Sequence, residues 1–326
     1  MKLLNSNDKI FVAGHNGMVG KAICRALRKN LYLNLITINK SELDLQDSLA
    51  VKKWFVQHKP DVVIIAAAKV GGIYANQNYP VDFLLNNLEI QNNLIKNSFE
   101  NNVRRLLFLG SSCIYPKFAK QPIKEDYLLQ SPLENSNESY AIAKIAGIKL
   151  CEAYRKQYGF DAISVMPTNL YGPGDNYHPL DSHVLPAMIR KLHLANKNNL
   201  KFVECWGSGS PLREFLHAND LGEACIFLLE NWDPSDKEAP LDSEGQPLLL
   251  LNVGTGKDIS IKDLAILISK IVNFNGEIKW DLTKPDGTPK KQLDISKIRS
   301  LGWEPKISLK EGIILTYEEF KKEFKN

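Results

Sequence analysis

A tyrosine and a lysine four residues apart, Tyr140 and Lys144, form the clearest chemical pattern in the sequence. On a helix this spacing puts both side chains on one face. A phenol is a weak acid at neutral pH, but a neighbouring ammonium stabilises the phenolate and is expected to lower the pKa of Tyr140. The pair therefore predicts proton exchange with a carbonyl oxygen while a hydride moves at the carbonyl carbon. Ser111 follows an apolar run that predicts a strand, and its hydroxyl is expected to polarise the same oxygen.

A glycine-rich segment, A-G-H-N-G-M-V-G at residues 13–20, lies between the first predicted strand and the first predicted helix. Gly14 permits the tight turn, Gly17 lets the backbone approach a pyrophosphate, and Gly20 lets the helix pack closely on the sheet. The free N–H groups at the start of the helix are then available to phosphate oxygens. Glycine-rich turns are common by themselves, but in this position the segment predicts a dinucleotide site.

The end of the second predicted strand indicates which dinucleotide is bound. An acidic residue there would bind both ribose hydroxyls and select NAD. Residues 37–40 instead read T-I-N-K, and the first carboxylate after them is Glu42. Lys40 is able to meet a 2′-phosphate, which favours NADP; the alternative is that Lys40 is a solvated lysine at a strand end. Asp44 and Leu45 follow at positions suited to contact with the adenine.

Short apolar runs alternate with longer helical patterns through the first half of the chain, which predicts a parallel sheet with crossover helices. The predicted strands are Lys9–Ala13, Leu33–Ile38, Val62–Ala66, Arg105–Leu109 and Ala162–Met166. The predicted helices are Met18–Lys29, Ser48–His58, Val81–Asn101 and Tyr140–Tyr158. We expect an α/β fold with a Rossmann-type doubly wound parallel sheet in residues 1–170. Residues 171–326 are expected to form mainly a smaller α/β domain, with some segments returning to the first.

Later segments are less regular. A helix is predicted at Val184–Ala195, a strand at Leu249–Val253, and a helix from the capping residue Ser260 to about Val272. Residues 231–246 show little apolar periodicity and are expected to form a surface excursion, the best candidate for disorder.

Composition narrows the class of protein. The chain has 326 residues, and its charged residues nearly cancel to a net charge of +4, which is too weak a balance to imply a nucleic-acid or membrane partner. No stretch approaches 18 apolar residues, and no signal peptide is evident. The five cysteines are scattered without a C-x-x-C pair, so we expect reduced thiols, a cytoplasmic protein and no metal site.

Eight segments spread over the chain carry a resemblance to a known family. They are AAAKVGGI at 66–73, LGSSCIYP at 109–116, YAIAKIAG at 140–147, PTNLYG at 167–172, WGSG at 206–209, REFLH at 213–217, NVGTG at 252–256 and KPDGTP at 284–289. Through them the chain resembles the extended short-chain dehydrogenase/reductase superfamily of nucleotide-sugar enzymes. Within that superfamily the chain closely resembles the GDP-L-fucose synthase family, the GDP-4-keto-6-deoxy-D-mannose 3,5-epimerases/4-reductases.

The resemblance implies NADP(H) as cofactor and assigns site residues by position. The catalytic groups would be Ser111, Cys113, Tyr140, Lys144 and His183. The cofactor contacts would be Gly14, His15, Asn16, Gly17, Met18, Val19, Gly20, Lys40, Asp44, Leu45, Leu109, Gly110, Ser111, Ser112, Lys144, Pro167, Thr168, Asn169, Leu170 and His183. The substrate contacts would be Lys191, Trp206, Arg213, Asp286 and Lys290. One position departs from the family pattern: Asn16 stands where that pattern has arginine, which weakens the preference for NADP over NAD.

Cys113 separates this chain from the related 4,6-dehydratases, which carry an Asp-Glu pair where this sequence has Ser112 and Cys113. A thiol is a suitable base for an acidic C–H beside a ketone when its surroundings stabilise the thiolate. His183 is able to supply an acid on the opposite side. The alternative is a buried core cysteine, the commonest state of a free thiol. The position at the carboxyl end of a predicted parallel strand favours a role in catalysis.

Two candidate substrate residues also have structural alternatives. Arg213 is expected to grip a pyrophosphate bidentately, or else to form a structural salt bridge. Trp206 precedes a Gly-Ser-Gly loop and would stack on or pack near the guanine or sugar, or else serve as a core tryptophan.

The resemblance predicts NADPH-dependent 3,5-epimerisation and 4-reduction of GDP-4-keto-6-deoxy-D-mannose to GDP-L-fucose. The alternative reading is a 4-keto reductase or 4-epimerase for another GDP-linked deoxy or heptose sugar. A homodimer is also implied, through Val81–Asn101 and Tyr140–Tyr158, and the apolar residues Phe83, Leu84, Leu88, Leu94 and Ile95 support it.

Overall fold

The computed structural model describes residues 3–179, 181–284 and 286–324 of the chain. Its strands in chain order, β1 to β12, are Ile10–Ala13, Leu35–Ile36, Val62–Ile65, Arg105–Leu109, Ala162–Pro167, Asn169–Tyr171, Phe202–Trp206, Leu212–His217, Leu250–Val253, Asp258–Ser260, Glu277–Asp281 and Lys290–Lys291. Its helices, α1 to α10, are Met18–Lys29, Ser48–His58, Ile73–Asn78, Pro80–Glu100, Glu138–Tyr158, Val184–Lys197, Ala218–Asn231, Ile261–Val272, Ser296–Ser300 and Leu309–Glu323. Among these described helices, none is both long and apolar enough to cross a membrane.

The larger sheet has the strand order β2-β1-β3-β4-β5-β9, and every neighbouring pair is parallel. Strands β1, β3, β4 and β5 are buried along their whole length, as expected where helices cover both faces of a parallel sheet. The order reverses at β1, where β2 lies on one side and β3 on the other. Ligands of such folds bind outside the carboxyl ends of the strands at this switch point. The Rossmann-type fold predicted from the sequence is therefore confirmed.

A second, smaller group of strands lies later in the chain. Strand β8 pairs with β10, β12 and β6, and β7 pairs in parallel with β11. Helices α6, α8 and α10 enclose a separate apolar core around Leu185, Ile189, Leu264, Ile268 and Phe320. The pairing of β8 with β12 brings Arg213 opposite Lys291, so the smaller group is assembled from distant parts of the chain.

Capping residues account for the helix boundaries that the sequence predicts well. Asp47 accepts hydrogen bonds from the N–H groups of Leu49 and Ala50, so α2 begins at Ser48 as predicted. Ser260 accepts from the Asp263 N–H across 3.0 Å and donates to its carboxylate across 2.6 Å. This reciprocal cap confirms the predicted helix from Ile261 to Val272.

The predicted strand Leu33–Ile38 is too long, because only Leu35–Ile36 pairs with β1.

Two elements from the second half of the chain belong to the larger, Rossmann-type part of the fold. Strand β9 is its sixth strand, and α7 packs so closely on α1 that a Cβ at Gly222 would lie 2.7 Å from the Ala22 carbonyl oxygen. After α7 the predicted surface excursion is mostly irregular, yet Trp232 within it is fully buried in the main core. The expectation of a purely surface segment is therefore wrong at that residue. This packing ties the second half of the chain to the first.

Candidate active site

The glycine-rich turn between β1 and α1 is built so that only glycine fits at two positions. Gly14 has a φ of +87°, and a Cβ on it would lie 2.6 Å from the backbone nitrogen of Ala67. A Cβ on Gly20 would lie 2.1 Å from the Gly14 carbonyl oxygen. Gly17 is the N-cap of α1 and offers no side chain to the first-turn N–H groups, which leaves them for phosphate oxygens. The turn therefore fits a dinucleotide pyrophosphate.

The remaining residues of this turn, His15, Met18 and Val19, are partly exposed, as expected for a surface that receives a ligand. Asn16, in the same turn, donates to the side-chain oxygen of Asn39, which lies beyond β2, across 2.8 Å. The Asn39 amide nitrogen in turn donates to Glu42 across 2.8 Å. This chain of polar groups crosses the place where the fold puts the adenosine ribose.

Lys40 and Asp44 lie exposed near the same end, and Leu45 is half-buried. Asn93 on α4 donates to the Leu45 carbonyl oxygen across 2.9 Å and holds that segment. Sequence reasoning missed Asn39, whose position one residue before Lys40 was the available signal.

The end of β4 brings the predicted hydroxyl and lysine together. Leu109 and Gly110 are buried, and Ser111 begins the short 3₁₀ turn Ser112–Ile114, where Ser112 is buried. The Ser111 hydroxyl accepts from the Cys113 N–H across 3.3 Å. The buried Lys144 Nζ donates to the Leu109 carbonyl oxygen across 2.8 Å. Strand β4 and helix α5 thus hold the groups at one edge of the sheet.

The electrostatics of the Tyr140 and Lys144 pair differ from the sequence-based expectation. Burial lowers the pKa of Lys144 to about 7. Burial and the neighbouring Cys113 raise the pKa of Tyr140 above its usual range, although a hydrogen bond with Ser111 opposes this. The expected lowering of the Tyr140 pKa is wrong here, because Lys144 Nζ lies 5.9 Å from the phenol ring centre and donates to the backbone instead. Tyr140 is therefore held in its protonated form.

Cys113 is not a core cysteine. Its thiol is partly exposed, whereas the other four cysteines are buried. Asn137 Nδ2 lies 3.3 Å from Cys113 Sγ, and Lys291 Nζ lies 3.7 Å from the same sulfur. Cys113 is one of the causes of the raised pKa of Tyr140, so the thiol and the phenol belong to one site. Sequence reasoning missed both Asn137 and Lys291.

His183 stands at the N-terminus of α6 and keeps an exposed surface. Restricted hydration and the nearby Lys291 ammonium lower the pKa of its imidazole. The segment before it is tied to the loop after β3, because the Gly72 N–H donates to the Asp181 carbonyl oxygen across 3.0 Å. His183 and Cys113 thus share Lys291 as a common neighbour.

Residues 167–170 link the two sheets. Pro167 ends β5, and both Thr168 Oγ1 and Asn169 Nδ2 donate to the Glu214 carbonyl oxygen, across 3.3 Å and 2.8 Å. Leu170 continues into β6 beside β8. The segment therefore runs from the carboxyl end of β5 to the strand that carries Arg213.

The predicted substrate residues lie on or beside the smaller group of strands. Trp206 is 66% exposed, with Lys284 Nζ 5.4 Å from its ring centre, so the core alternative for Trp206 is wrong. Lys191 donates to the Glu204 carbonyl oxygen across 2.7 Å. Asp286 accepts from the Ser208 hydroxyl across 2.6 Å.

The two lysines of β12 serve different partners. Lys290 pairs with Asp258 across 3.0 Å. Its neighbour Lys291 is the cross-strand partner of Arg213 and reaches Cys113. Arg213 is half-buried, and its Nη1 donates to the Leu212 carbonyl oxygen across 2.8 Å. Burial lowers the Arg213 pKa, and Asp286 opposes that effect.

Comparisons with known proteins agree with this arrangement. The sequence profile of the NAD dependent epimerase/dehydratase family matches residues 10–240. The chain is 55% identical to "Putative GDP-L-fucose synthase 2" of Arabidopsis thaliana, over 97% of this chain and 92% of that protein. It is 51% identical to "GDP-L-fucose synthase" of Escherichia coli strain K12, over 97% of each. The crystallised "GDP-mannoheptose C4 reductase from Campylobacter jejuni with NADP bound" is 41% identical, with a TM-score of 0.87 over 98% of this chain and 99% of that one.

Proposed function

The chain belongs to the NAD dependent epimerase/dehydratase family, and we propose that it is an NADPH-dependent 3,5-epimerase and 4-reductase that converts GDP-4-keto-6-deoxy-D-mannose to GDP-L-fucose. The observation that carries the proposal is the meeting of Ser111, Tyr140 and Cys113 at one edge of the sheet, beside a turn that fits a dinucleotide. Relatives of more than 50% identity over nearly the full chain bear the corresponding name.

NADP(H) is the cofactor, as in the heptose reductase that was crystallised with NADP. Gly14, Gly17 and Gly20 admit its pyrophosphate to the start of α1. Lys40 is the cation for the 2′-phosphate, and Asn16 lies beside it in the chain of polar groups that leads to Glu42. When bound, NADPH supplies the hydride for the C4 ketone.

Reduction requires a proton at the C4 oxygen, and Tyr140 provides it. The raised pKa of Tyr140 keeps the phenol protonated at neutral pH, which is the form that a general acid needs. Ser111 donates a second hydrogen bond to the same oxygen and orients the ketone. The phenol O–H bond breaks as the C4 alcohol O–H bond forms, and solvent then reprotonates Tyr140. Lys144, which extends from α5 to the end of β4, holds the nicotinamide ribose.

Epimerisation precedes reduction and uses the other two groups. A C4 ketone acidifies the hydrogens at C3 and C5, because the resulting enolate carries its charge on the C4 oxygen. Cys113 removes the proton from one face, and Ser111 and Tyr140 stabilise the enolate oxygen. Protonated His183 returns a proton to the opposite face, and its lowered pKa makes that cation a stronger acid. The centre is inverted with no net change in protons.

The smaller group of strands forms the substrate-binding domain, mainly within residues 171–326. Arg213 grips the diphosphate, and the exposed ring of Trp206 lies against the guanine or sugar. Lys191 and Asp286 flank this surface, and Lys290 is a weaker candidate because Asp258 already pairs with it.

A second candidate function is 4-reduction of another GDP-linked sugar without epimerisation. It is supported by the 41% identity to a GDP-mannoheptose C4 reductase. The partly exposed Cys113 beside Lys291 favours the fuller reaction.

We also place the protein in the cytoplasm as a homodimer. All five cysteines are free thiols, which suits a reducing compartment. Val81 and Leu85 on α4 and Ile142 on α5 are exposed, and α4 packs beside α5, so a second copy is able to cover them. Phe83, Leu94 and Ile95 are buried within the chain and do not contribute to such an interface.

The test of the function is product analysis. The protein is incubated with NADPH and either GDP-4-keto-6-deoxy-D-mannose or a GDP-4-keto-heptose, and the products are identified by NMR. GDP-L-fucose from the first substrate supports the proposal. A product reduced at C4 with C3 and C5 unchanged would establish the second candidate instead.

A further inference from the structure

Lys291 extends from β12 in the smaller group of strands to the thiol of Cys113, in the turn that follows β4. Its Nζ lies 3.7 Å from Cys113 Sγ, although 178 positions separate the two residues. Asn137 Nδ2 approaches the same sulfur at 3.3 Å, from the residue that precedes α5. The sulfur therefore has one cationic and one neutral donor, which come from different parts of the fold.

A thiolate is stabilised by a nearby ammonium and by hydrogen-bond donors, and the thiolate is the reactive form of cysteine. We propose that Lys291, assisted by Asn137, holds Cys113 as the thiolate and so positions the base for epimerisation; this rests on the epimerase function proposed above. Lys291 acts through Cys113 and is a positioning residue.

The register of β12 against β8 explains how one lysine reaches the thiol. Lys291 pairs with Arg213, so the two side chains share one face of that sheet. Lys290 projects to the opposite face and pairs with Asp258 at 3.0 Å. The strand pair that carries the diphosphate-binding Arg213 thus also delivers the cation to the base.

The same ammonium acts on the second group of the epimerisation pair. Lys291 contributes to the lowered pKa of His183, so it disfavours a positive charge on the imidazole while it favours a negative charge on the sulfur. The charged or titratable groups that interact here are Cys113, Tyr140, His183 and Lys291. Arg213 lies beside Lys291 on β8, and Lys144 Nζ is 5.9 Å from the Tyr140 ring centre, but Lys291 is the cation that contacts the Cys113 sulfur.

The direct test is the rate at which iodoacetamide, a neutral reagent, alkylates Cys113 in the native protein at pH 7. The other four cysteines are buried, so peptide mass spectrometry follows Cys113 with little competition. Lys291→Met is expected to slow alkylation about tenfold or more, the scale of a lost hydrogen bond to a charged group. Lys291→Arg should restore most of the rate, and the matched control Lys290→Met should leave it unchanged. A Lys291→Met protein with wild-type melting temperature and wild-type alkylation rate overturns the proposal.

A second measurement separates this role from simple substrate binding. Deuterium incorporation at C3 and C5 of the 4-keto sugar is followed at saturating substrate, with the NADPH-dependent reduction rate measured in parallel. Lys291→Met should lose exchange about tenfold or more while KM changes little. A raised KM with unchanged exchange at saturation would assign Lys291 to the diphosphate and refute the thiolate role. If the wild type shows no exchange, the epimerase function fails, and the alkylation result still decides the pairing of Lys291 with Cys113.

Discussion

The Lys144 ammonium donates to the Leu109 carbonyl oxygen across 2.8 Å, which anchors the buried lysine to the strand that leads to Ser111. This one hydrogen bond stands in place of the water molecules that would surround the ammonium group of an exposed lysine. Burial accordingly lowers the pKa of Lys144 to about 7. With the proposed role of Lys144 in holding the nicotinamide ribose, activity and stability oppose one another at this residue.

Replacing Lys144 with methionine should stabilise the protein most at low pH. Between about pH 7 and the unfolded value of about 10.4, the folded protein binds fewer protons at Lys144 than the unfolded chain does, so wild-type stability rises with pH. Lys144→Met removes this dependence, so its gain in melting temperature should be largest at pH 6 and shrink toward pH 10. Lys149→Met on the same helix is the control, because Lys149 is an exposed partner of Glu152. An equal gain at every pH would contradict the lowered pKa.

Tyr140→Phe should separate cofactor binding from reduction. The phenol is the proposed proton donor, and losing a general acid costs about a hundredfold or more. NADPH binding, followed by fluorescence, should stay close to wild type because the ring remains beside Phe83. Tyr158→Phe on the same helix should leave both properties unchanged, since Tyr158 is exposed. Near-normal turnover by Tyr140→Phe would remove Tyr140 from the role.

Two glycine substitutions in the phosphate turn should have different effects. At Gly17 the nearest atom to an added Cβ is the Gly14 oxygen at 3.6 Å, so Gly17→Ala should fold normally but weaken NADPH binding by crowding the pyrophosphate. At Gly20 the same oxygen would lie at 2.1 Å, so Gly20→Ala should also cost about 1–3 kcal/mol of stability. Calorimetric titration and thermal melting distinguish the two. Equal melting temperatures for both variants would refute this packing argument.

Local signals in the sequence predicted the elements that they control directly. Gly17 and Asp47 set the starts of α1 and α2, and both helices have their predicted bounds. The pairing of Lys291 with Arg213 is different, because it depends on strands that lie 78 residues apart. Whether Lys290 or Lys291 lies on the same sheet face as Arg213 depends on that register, and a shift of one residue reverses the answer. The family resemblance assigned Lys290 to substrate binding, and no local signal in the sequence pointed to Lys291.

The proposed dimer should depend on the exposed apolar residues of α4. Leu85→Glu is expected to convert the dimer to a monomer, because it puts an unpaired charge into the interface. Light scattering should give twice the 36.8 kDa chain mass for the wild type and a single chain mass for the variant. Leu49→Glu on α2, which replaces another exposed leucine that is not on α4 or α5, is the control. A wild-type mass of one chain at micromolar concentration would refute the dimer.

Cys113→Ser should strongly slow exchange at C3 and C5 while leaving hydride transfer possible. In the proposed mechanism Ser111 and Tyr140 stabilise the C4 oxygen in both steps, but only Cys113 removes a carbon-bound proton. A serine hydroxyl is a far weaker base than a thiolate. Enzyme and GDP-4-keto-6-deoxy-D-mannose are incubated in deuterium oxide without NADPH, and label at C3 and C5 is followed by NMR. The wild type should incorporate deuterium, and Cys113→Ser should do so at least about a hundredfold more slowly, the scale of a lost general base. On addition of NADPH, Cys113→Ser should form the unepimerised C4 alcohol. If the wild type incorporates no label yet reduces the ketone, the protein is a simple 4-reductase.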